Sequence, residues 1–283
     1  MLKTTDGGAT WLIDQPSHGA LAGLLAAHWG NGEFAAPGGF DESPHADWLR
    51  REVIVAIGAH DNGWWEWEAD PQESPDGLPM GLGEVLGHPR EGMQRWHLGV
   101  ARLAETHPFA ALLIGDHAAW LYAAQFEEGF PEERTHPIQR GRSTYPENLR
   151  QQASEFLDEL GQLQRRLEQR LASSEQGRAA LRQRWPSSRL LQILDTFSLA
   201  LCSAVLGPLG LGRDELEFAH VPRRDWNDRV SLRLQPLGKG RVQVSPFPFQ
   251  AAFRCTVPAR RVAAGQWWRQ VAPELLEYEL CPG

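Results

Sequence analysis

Residues 47–63 read DWLRREVIVAIGAHDNG, and the interpretation of the whole chain starts from this stretch. Val53, Ile57 and His60 fall on adjoining turns of a helix, which gives the segment one apolar face. The Asn-Gly dipeptide at its end is typical of a helix terminus, because both residues tolerate a left-handed backbone. The sequence therefore predicts a helix that carries the adjacent residues His60 and Asp61 at its carboxyl end.

Helical periodicity extends to both sides of this segment. It predicts further helices over residues 17–29, 91–105, 108–126, 149–167 and 189–206. The last of these is apolar nearly all round, which indicates a buried helix. Residues 64–90 are dense in Trp, Pro and Gly, so we expect an ordered but irregular loop there.

The last quarter of the chain has a different pattern, in which apolar and polar residues alternate. Leu232 and Leu234 follow this period of two, and a Gly-Lys-Gly turn comes after them. The pattern predicts a small antiparallel sheet with one late helix near Trp267. The expected fold is thus mainly α, with a helical metal-binding domain over residues 1–206 and a small α+β extension over residues 207–283.

The composition is that of a globular protein with an acidic surface. The 283 residues include 28 Lys and Arg against 36 Asp and Glu, a formal net charge of −8. This charge argues against nucleic acid or an anionic membrane as a partner, since both attract cationic proteins. No apolar run approaches the roughly 20 residues that span a bilayer, and three isolated cysteines fit a reducing compartment. We expect a cytoplasmic protein with a small-molecule substrate; the oligomeric state is left open.

Asp195 is the one acidic residue in the apolar helix over residues 189–206. Because burial of an unpaired carboxylate is costly, this side chain must be neutralised, hydrogen-bonded or bound to a metal. Arg189 or a tyrosine would serve as an ordinary partner. If a metal is the partner, imidazole and carboxylate ligands together suit Fe, Mn, Zn, Co or Ni.

The order of these residues resembles the superfamily of HD-domain metalloproteins, helical enzymes named for an adjacent His-Asp pair. His18 lies early in the first helix, His60 and Asp61 end the next one, and Asp195 lies in a late core helix. The resemblance covers about residues 15–205 and implies that these four side chains hold one divalent metal ion. The Gln-Pro-Ser-His segment that ends at His18 is also similar to that of an uncharacterised bacterial family, a likeness that supplies no activity.

Members of the superfamily with two metal ions have additional histidines between the His-Asp pair and the last Asp, and the Asp of the pair then bridges the ions. His97 and His117 lie in this interval and are the candidates for a second ion. Each candidate ligand also has an ordinary interpretation, as a helix-end, surface or hydrogen-bonded core residue. The remaining histidines adjoin loops or prolines and are interpreted as surface or turn residues: His28, His45, His88, His107, His136 and His220.

Three classes of function remain open at this point. The resemblance implies a metal-dependent hydrolase of a small phosphorylated metabolite or nucleotide, with Asp61 as a proton acceptor. Two irons in the same ligands would make a diiron oxygenase that cleaves a C–C or C–P bond, and a degenerate site would leave a non-catalytic binding or scaffold protein. Trp64 stands where many superfamily members have Lys or His, so the candidates for substrate contacts are Trp64, Arg140 and Arg142.

Overall fold

The computed structural model describes residues 1–85, 89–137, 147–203 and 215–283. The α-helices are α1 (Gln15–His28), α2 (Ala46–Gly58), α3 (Trp65–Ala69), α4 (Leu82–Val85), α5 (Pro89–Leu103), α6 (Pro108–Phe126), α7 (Glu147–Ala172), α8 (Glu175–Arg182) and α9 (Arg184–Cys202). The strands are β1 (Leu2–Asp6), β2 (Ala9–Ile13), β3 (Leu216–Pro222), β4 (Arg229–Gly238), β5 (Arg241–Ser245), β6 (Phe253–Ala263) and β7 (Glu274–Pro282). Among the helices of these ranges, none combines the length and the apolar character that crossing a membrane requires.

The longer helices lie close to where the periodicity of the sequence predicts them, whereas α8 was not predicted. Local signals account for their ends: the Asp14 carboxylate accepts a hydrogen bond from Ser17 N at 2.7 Å and caps α1, and Pro108 occupies the first turn of α6. The segment expected to be an irregular loop over residues 64–90 also contains the short helices α3 and α4. In place of the late helix expected near Trp267 there is a single 3-10 turn.

The sheet corrects the expected fold class. All seven strands form one mixed sheet in the order β1-β2-β6-β7-β5-β4-β3, in which only β5 and β7 pair in parallel. The expectation of a mainly helical fold with a small C-terminal sheet is wrong, because helices form 50% of the protein and strands 22%. Trp11 pairs with Arg261, so the N-terminal hairpin joins the sheet across the position where the sequence suggested a domain boundary.

Two buried helices, α1 and α9, connect the sheet to the other helices. α1 packs against α2 and α9 and also contacts β6, whereas α9 packs against α1, α2 and α6 and contacts β3. The Tyr278 hydroxyl on β7 donates to the Leu201 carbonyl of α9 at 2.6 Å, and Trp29 meets Phe249 edge-on. One continuous hydrophobic core results, and the candidate site lies where α1, α2, α6 and α9 meet inside it.

Candidate metal centre

The turn after α2 brings the His-Asp pair into the interior and attaches it to α5. Asn62 is fully buried and donates from Nδ2 to the Gly99 carbonyl of α5 at 3.1 Å. Gly63 lies so close to α5 that a Cβ atom there would overlap the carbonyl oxygen of Arg95. The Asn-Gly dipeptide therefore does more than end a helix: it allows the turn to pack directly on the backbone of α5.

A hydroxyl group fixes the orientation of His18. Ser198 Oγ donates to the carbonyl oxygen of Asp195 at 2.8 Å, so it accepts a hydrogen bond from His18 Nδ1, also at 2.8 Å. The neutral ring then has no proton on Nε2, and this nitrogen faces Asp61 Oδ2 at 3.0 Å. A lone pair that faces a carboxylate at this distance needs a proton or another cation nearby.

The ring of His60 has the same arrangement. Its Nδ1 donates to the Ile57 carbonyl at 2.7 Å, which leaves Nε2 as the unprotonated nitrogen of the neutral form. Nε2 lies 3.2 Å from Asp195 Oδ1 and 3.6 Å from Asp61 Oδ2. Two imidazole lone pairs, from His18 and His60, thus point at the same two carboxylates.

Asp195 lies between two pairs of histidines. Its Oδ1 faces Nε2 of His60 at 3.2 Å and of His18 at 3.8 Å. Its Oδ2 faces Nε2 of His136 at 2.8 Å and of His117 at 3.5 Å. Each pair of histidines forms a group of three side chains with Asp195. Within each group the potential ligand atoms lie within 4.8 Å of one another, and all of these residues are buried. The two groups share the carboxylate of Asp195.

The second pair of histidines comes from α6 and from the loop after it. Burial lowers the pKa of His117 to about 3, so its ring is neutral near pH 7, which is the form that binds metals. Its Nδ1 is buried and has no hydrogen-bond partner among the described residues. The preceding residue, Asp116, accepts hydrogen bonds from Gln164, Arg184 and Ser188 and so fixes α6 against α7 and α9.

The charges of the centre favour a cation. Burial disfavours the charged form of His60, but Asp61 and Asp195 outweigh burial and raise the pKa of its ring to about 9. Burial likewise opposes ionisation of the two carboxyl groups, yet the surrounding histidines hold the pKa of Asp61 below its ordinary value and that of Asp195 well below it. Without a metal the centre must therefore hold at least one proton on an imidazole.

These properties fit a divalent transition metal. Four imidazoles and two ionised carboxylates form a donor set suited to Fe, Mn, Zn, Co or Ni, and hydrogen bonds through Nδ1 orient two of the rings as is usual for metal-binding histidines. The group of His18, His60 and Asp195 and the group of His117, His136 and Asp195 could each hold a metal ion. Asp61 lies beside the first group.

His97 is not part of this cluster, in contrast to the sequence-based expectation. Its ring packs edge-on against Phe156, and its Nε2 faces the exposed Glu159 carboxylate of α7 at 3.2 Å. The neighbouring Trp96 contacts His117 instead. Because successive helical residues point about 100° apart, α5 directs Trp96 toward the centre and His97 toward α7.

His136 is the member of the centre that the sequence analysis missed. Its interpretation as a surface or turn residue is wrong, since it is 1% exposed. It lies between a 3-10 turn and Pro137, which are loop features, and its one useful signal is its position between Asp61 and Asp195. Trp64 is buried edge-on against Trp67 in the turn after the His-Asp pair, whereas Arg140 and Arg142 lie outside the described residues.

The fold and the site define a mixed protein of helices and one sheet with a buried His/Asp centre that could hold a metal ion. Residues 1–264 match the family described as "Protein of unknown function (DUF3891)", and the chain belongs to that family. The matched region includes all six side chains of the centre. No curated protein and no solved structure matches the chain.

Proposed function

We propose that this protein is a metal-dependent hydrolase that acts on a small phosphorylated metabolite or nucleotide through a centre of two metal ions. The observation that carries the proposal is the position of Asp195, whose two carboxylate oxygens face two separate pairs of histidines. A carboxylate that bridges two ions about 3.5–4 Å apart is a common feature of phosphoester-cleaving enzymes.

The residues of the centre have distinct roles in this proposal. His18 and His60 with Asp195 would hold one ion, and His117 and His136 with the other oxygen of Asp195 would hold the second. A bound ion would lower the pKa of a coordinated water toward neutrality and polarise a phosphoryl oxygen. Asp61 would accept the proton that this water loses, because its carboxyl group is ionised and lies beside the first group.

The exposure of the six side chains indicates the side from which a substrate could reach the centre. The four histidines of the centre are each 1% exposed, whereas the carboxylates of Asp61 and Asp195 are 10% and 7% exposed. A substrate would therefore meet the centre at its carboxylate edge. The small exposed fraction of these carboxylates favours a small substrate over a polymer.

The proposal is tested by counting metal and measuring hydrolysis in the same preparations. The purified chain is stripped with a chelator, reloaded separately with Mn²⁺, Co²⁺, Zn²⁺ or anaerobic Fe²⁺, and assayed for phosphate release from nucleotides and p-nitrophenyl phosphate. We expect two ions per chain and metal-dependent phosphate release. His60→Ala should lose the ion of the first group and abolish phosphate release, while His107→Ala should retain two ions and activity, since His107 pairs with Glu52 outside the centre.

Two results would contradict the proposal. Failure to bind any of these metals after reconstitution would leave the cluster as a buried polar core. Two bound irons with substrate-dependent consumption of dioxygen and no phosphate release would identify a diiron oxygenase instead.

A further inference from the structure

One face of α9 carries other buried polar side chains besides Asp195. Arg189, Gln192 and Asp195 follow one another at spacings of three residues, and Thr196 comes four residues after Gln192, so these side chains lie along the same side of the helix. All four are buried. The loop after α6, which carries His136, runs along this face.

Three successive residues of that loop each form a hydrogen bond with a residue on this face of α9. Gln192 Nε2 donates to the carbonyl of Arg134 at 3.0 Å, and Arg189 Nη1 donates to the carbonyl of Thr135 at 2.7 Å. The next residue, His136, then reaches Asp195 Oδ2 at 2.8 Å. The position of its imidazole is thus set by two hydrogen bonds to the two preceding peptide groups.

The other side of the Arg189 guanidinium is held by the sheet. Nη2 donates to the carbonyl of Ala219 at 2.7 Å, and Nε donates to that of His220 at 3.3 Å. These carbonyls lie in an irregularity of β3, where the pairing with β4 shifts register and His220 has a φ of 56°. A bulge of this kind redirects backbone groups out of the ladder, and here two of them face Arg189.

Burial of the charged Arg189 side chain costs free energy, which suggests a role beyond filling space. The guanidinium is 2% exposed, and its hydrogen-bond acceptors are three peptide carbonyls and the amide oxygen of Gln192. Burial lowers its pKa to about 10, so it remains charged near pH 7. An apolar side chain would fill this space without desolvating a charge, but it would make none of these directional bonds.

We propose that Arg189 is a positioning residue that joins the bulge of β3 to the loop of His136 and thereby sets the affinity of the second metal group. The inference rests on the proposed two-ion centre. It gives the C-terminal strands of the sheet a part in the site: β3 supports Arg189, Arg189 supports the loop, and the loop supplies His136. The histidines of the other group are carried instead by α1, which holds His18, and by the turn after α2, which holds His60.

The test is a titration of the metal-free protein with Co²⁺, followed by visible absorption and by calorimetry. In Arg189→Lys and in Gln192→Leu we expect the first ion to bind as in the wild type and the second to bind about 10–100-fold more weakly, the usual effect of removing a group that orients a ligand. His136→Ala is the reference for loss of the second group. Leu160→Ala, in the buried face of α7, is the control for destabilisation alone and should keep both affinities.

A second measurement uses the unaltered protein and does not depend on the variants folding. Hydrogen exchange is compared without metal and with two equivalents of Co²⁺, and the amides of residues 134–136 and 219–221 should gain protection together. Unchanged affinity for the second ion in folded variants, or protection of the loop without β3, would overturn this inference. A wild-type protein that binds no second ion would instead overturn the proposed function itself.

Discussion

Replacement of Asp195 by Asn tests the sharing of one carboxylate between two groups. The substitution keeps the size of the side chain but removes its charge and half of its acceptor capacity. Since Oδ1 faces one histidine pair and Oδ2 faces the other, both groups lose the negative charge of the shared carboxylate, and one of them also loses an oxygen ligand because an amide nitrogen does not replace it. We therefore expect both ions to bind much more weakly, whereas removal of any single histidine should affect one group more than the other.

The size of the effect follows from linkage. An ion present at 100 times its Kd stabilises the folded state by about 2.7 kcal/mol, so two such ions contribute about 5 kcal/mol. In a chain of this length that free energy raises Tm by roughly 10 °C. The wild-type protein should show this metal-dependent rise, and Asp195→Asn should show much less of it at the same metal concentration.

The assay compares the Tm of stripped and reloaded protein and counts the ions by elemental analysis. Glu52→Gln is the matched control, because Glu52 is also a buried carboxylate on a core helix but pairs with His107. It should lose stability without losing metal. An Asp195→Asn protein that folds and keeps the wild-type affinity for one of the two ions would refute the shared carboxylate.

Three further outcomes are expected. His136→Ala should halve the bound metal, and His97→Ala should leave it unchanged; metal loss in the second variant alone would restore the sequence-based assignment. The raised pKa of His60 stabilises the metal-free protein fully below pH 6.5, and this stabilisation is lost as the pH rises through 9. The Tm of the stripped protein should thus fall between pH 7 and pH 9, and reloading should flatten the profile; an equal slope in both forms would contradict this. Gly63→Ala should lower the free energy of unfolding by about 1–3 kcal/mol or more, measured by denaturant titration, because its Cβ would overlap Arg95 on α5; a neutral result would show that the turn can move away.

Local signals in the sequence were sufficient for the longer helices and for choosing most of the candidate ligands. Periodicity and end signals locate the helices that carry or precede His18, His60 and His117, since the pattern of an amphipathic or apolar helix is formed by residues that are close in sequence. Asp195 was identifiable because a charge in a helix that is apolar all round needs a partner. The convergence of these residues was a hypothesis based on their order in the sequence. In the structure, the packing of α1, α2, α6 and α9 brings them close together.

Only the tertiary structure decided the sheet, the place of His136 and that of His97. β2 pairs with β6 across almost the whole chain, and no local pattern encodes so distant a pairing. His136 lies in a loop without periodicity, and its burial depends on the hydrogen bonds from Arg189 and Gln192. His97 differs from Trp96 by one step of about 100° around α5, so the packing partner of the helix determines which of the two faces the centre. The sequence determined by itself which side chains were chemically able to form a centre; their long-range packing decided which of them do.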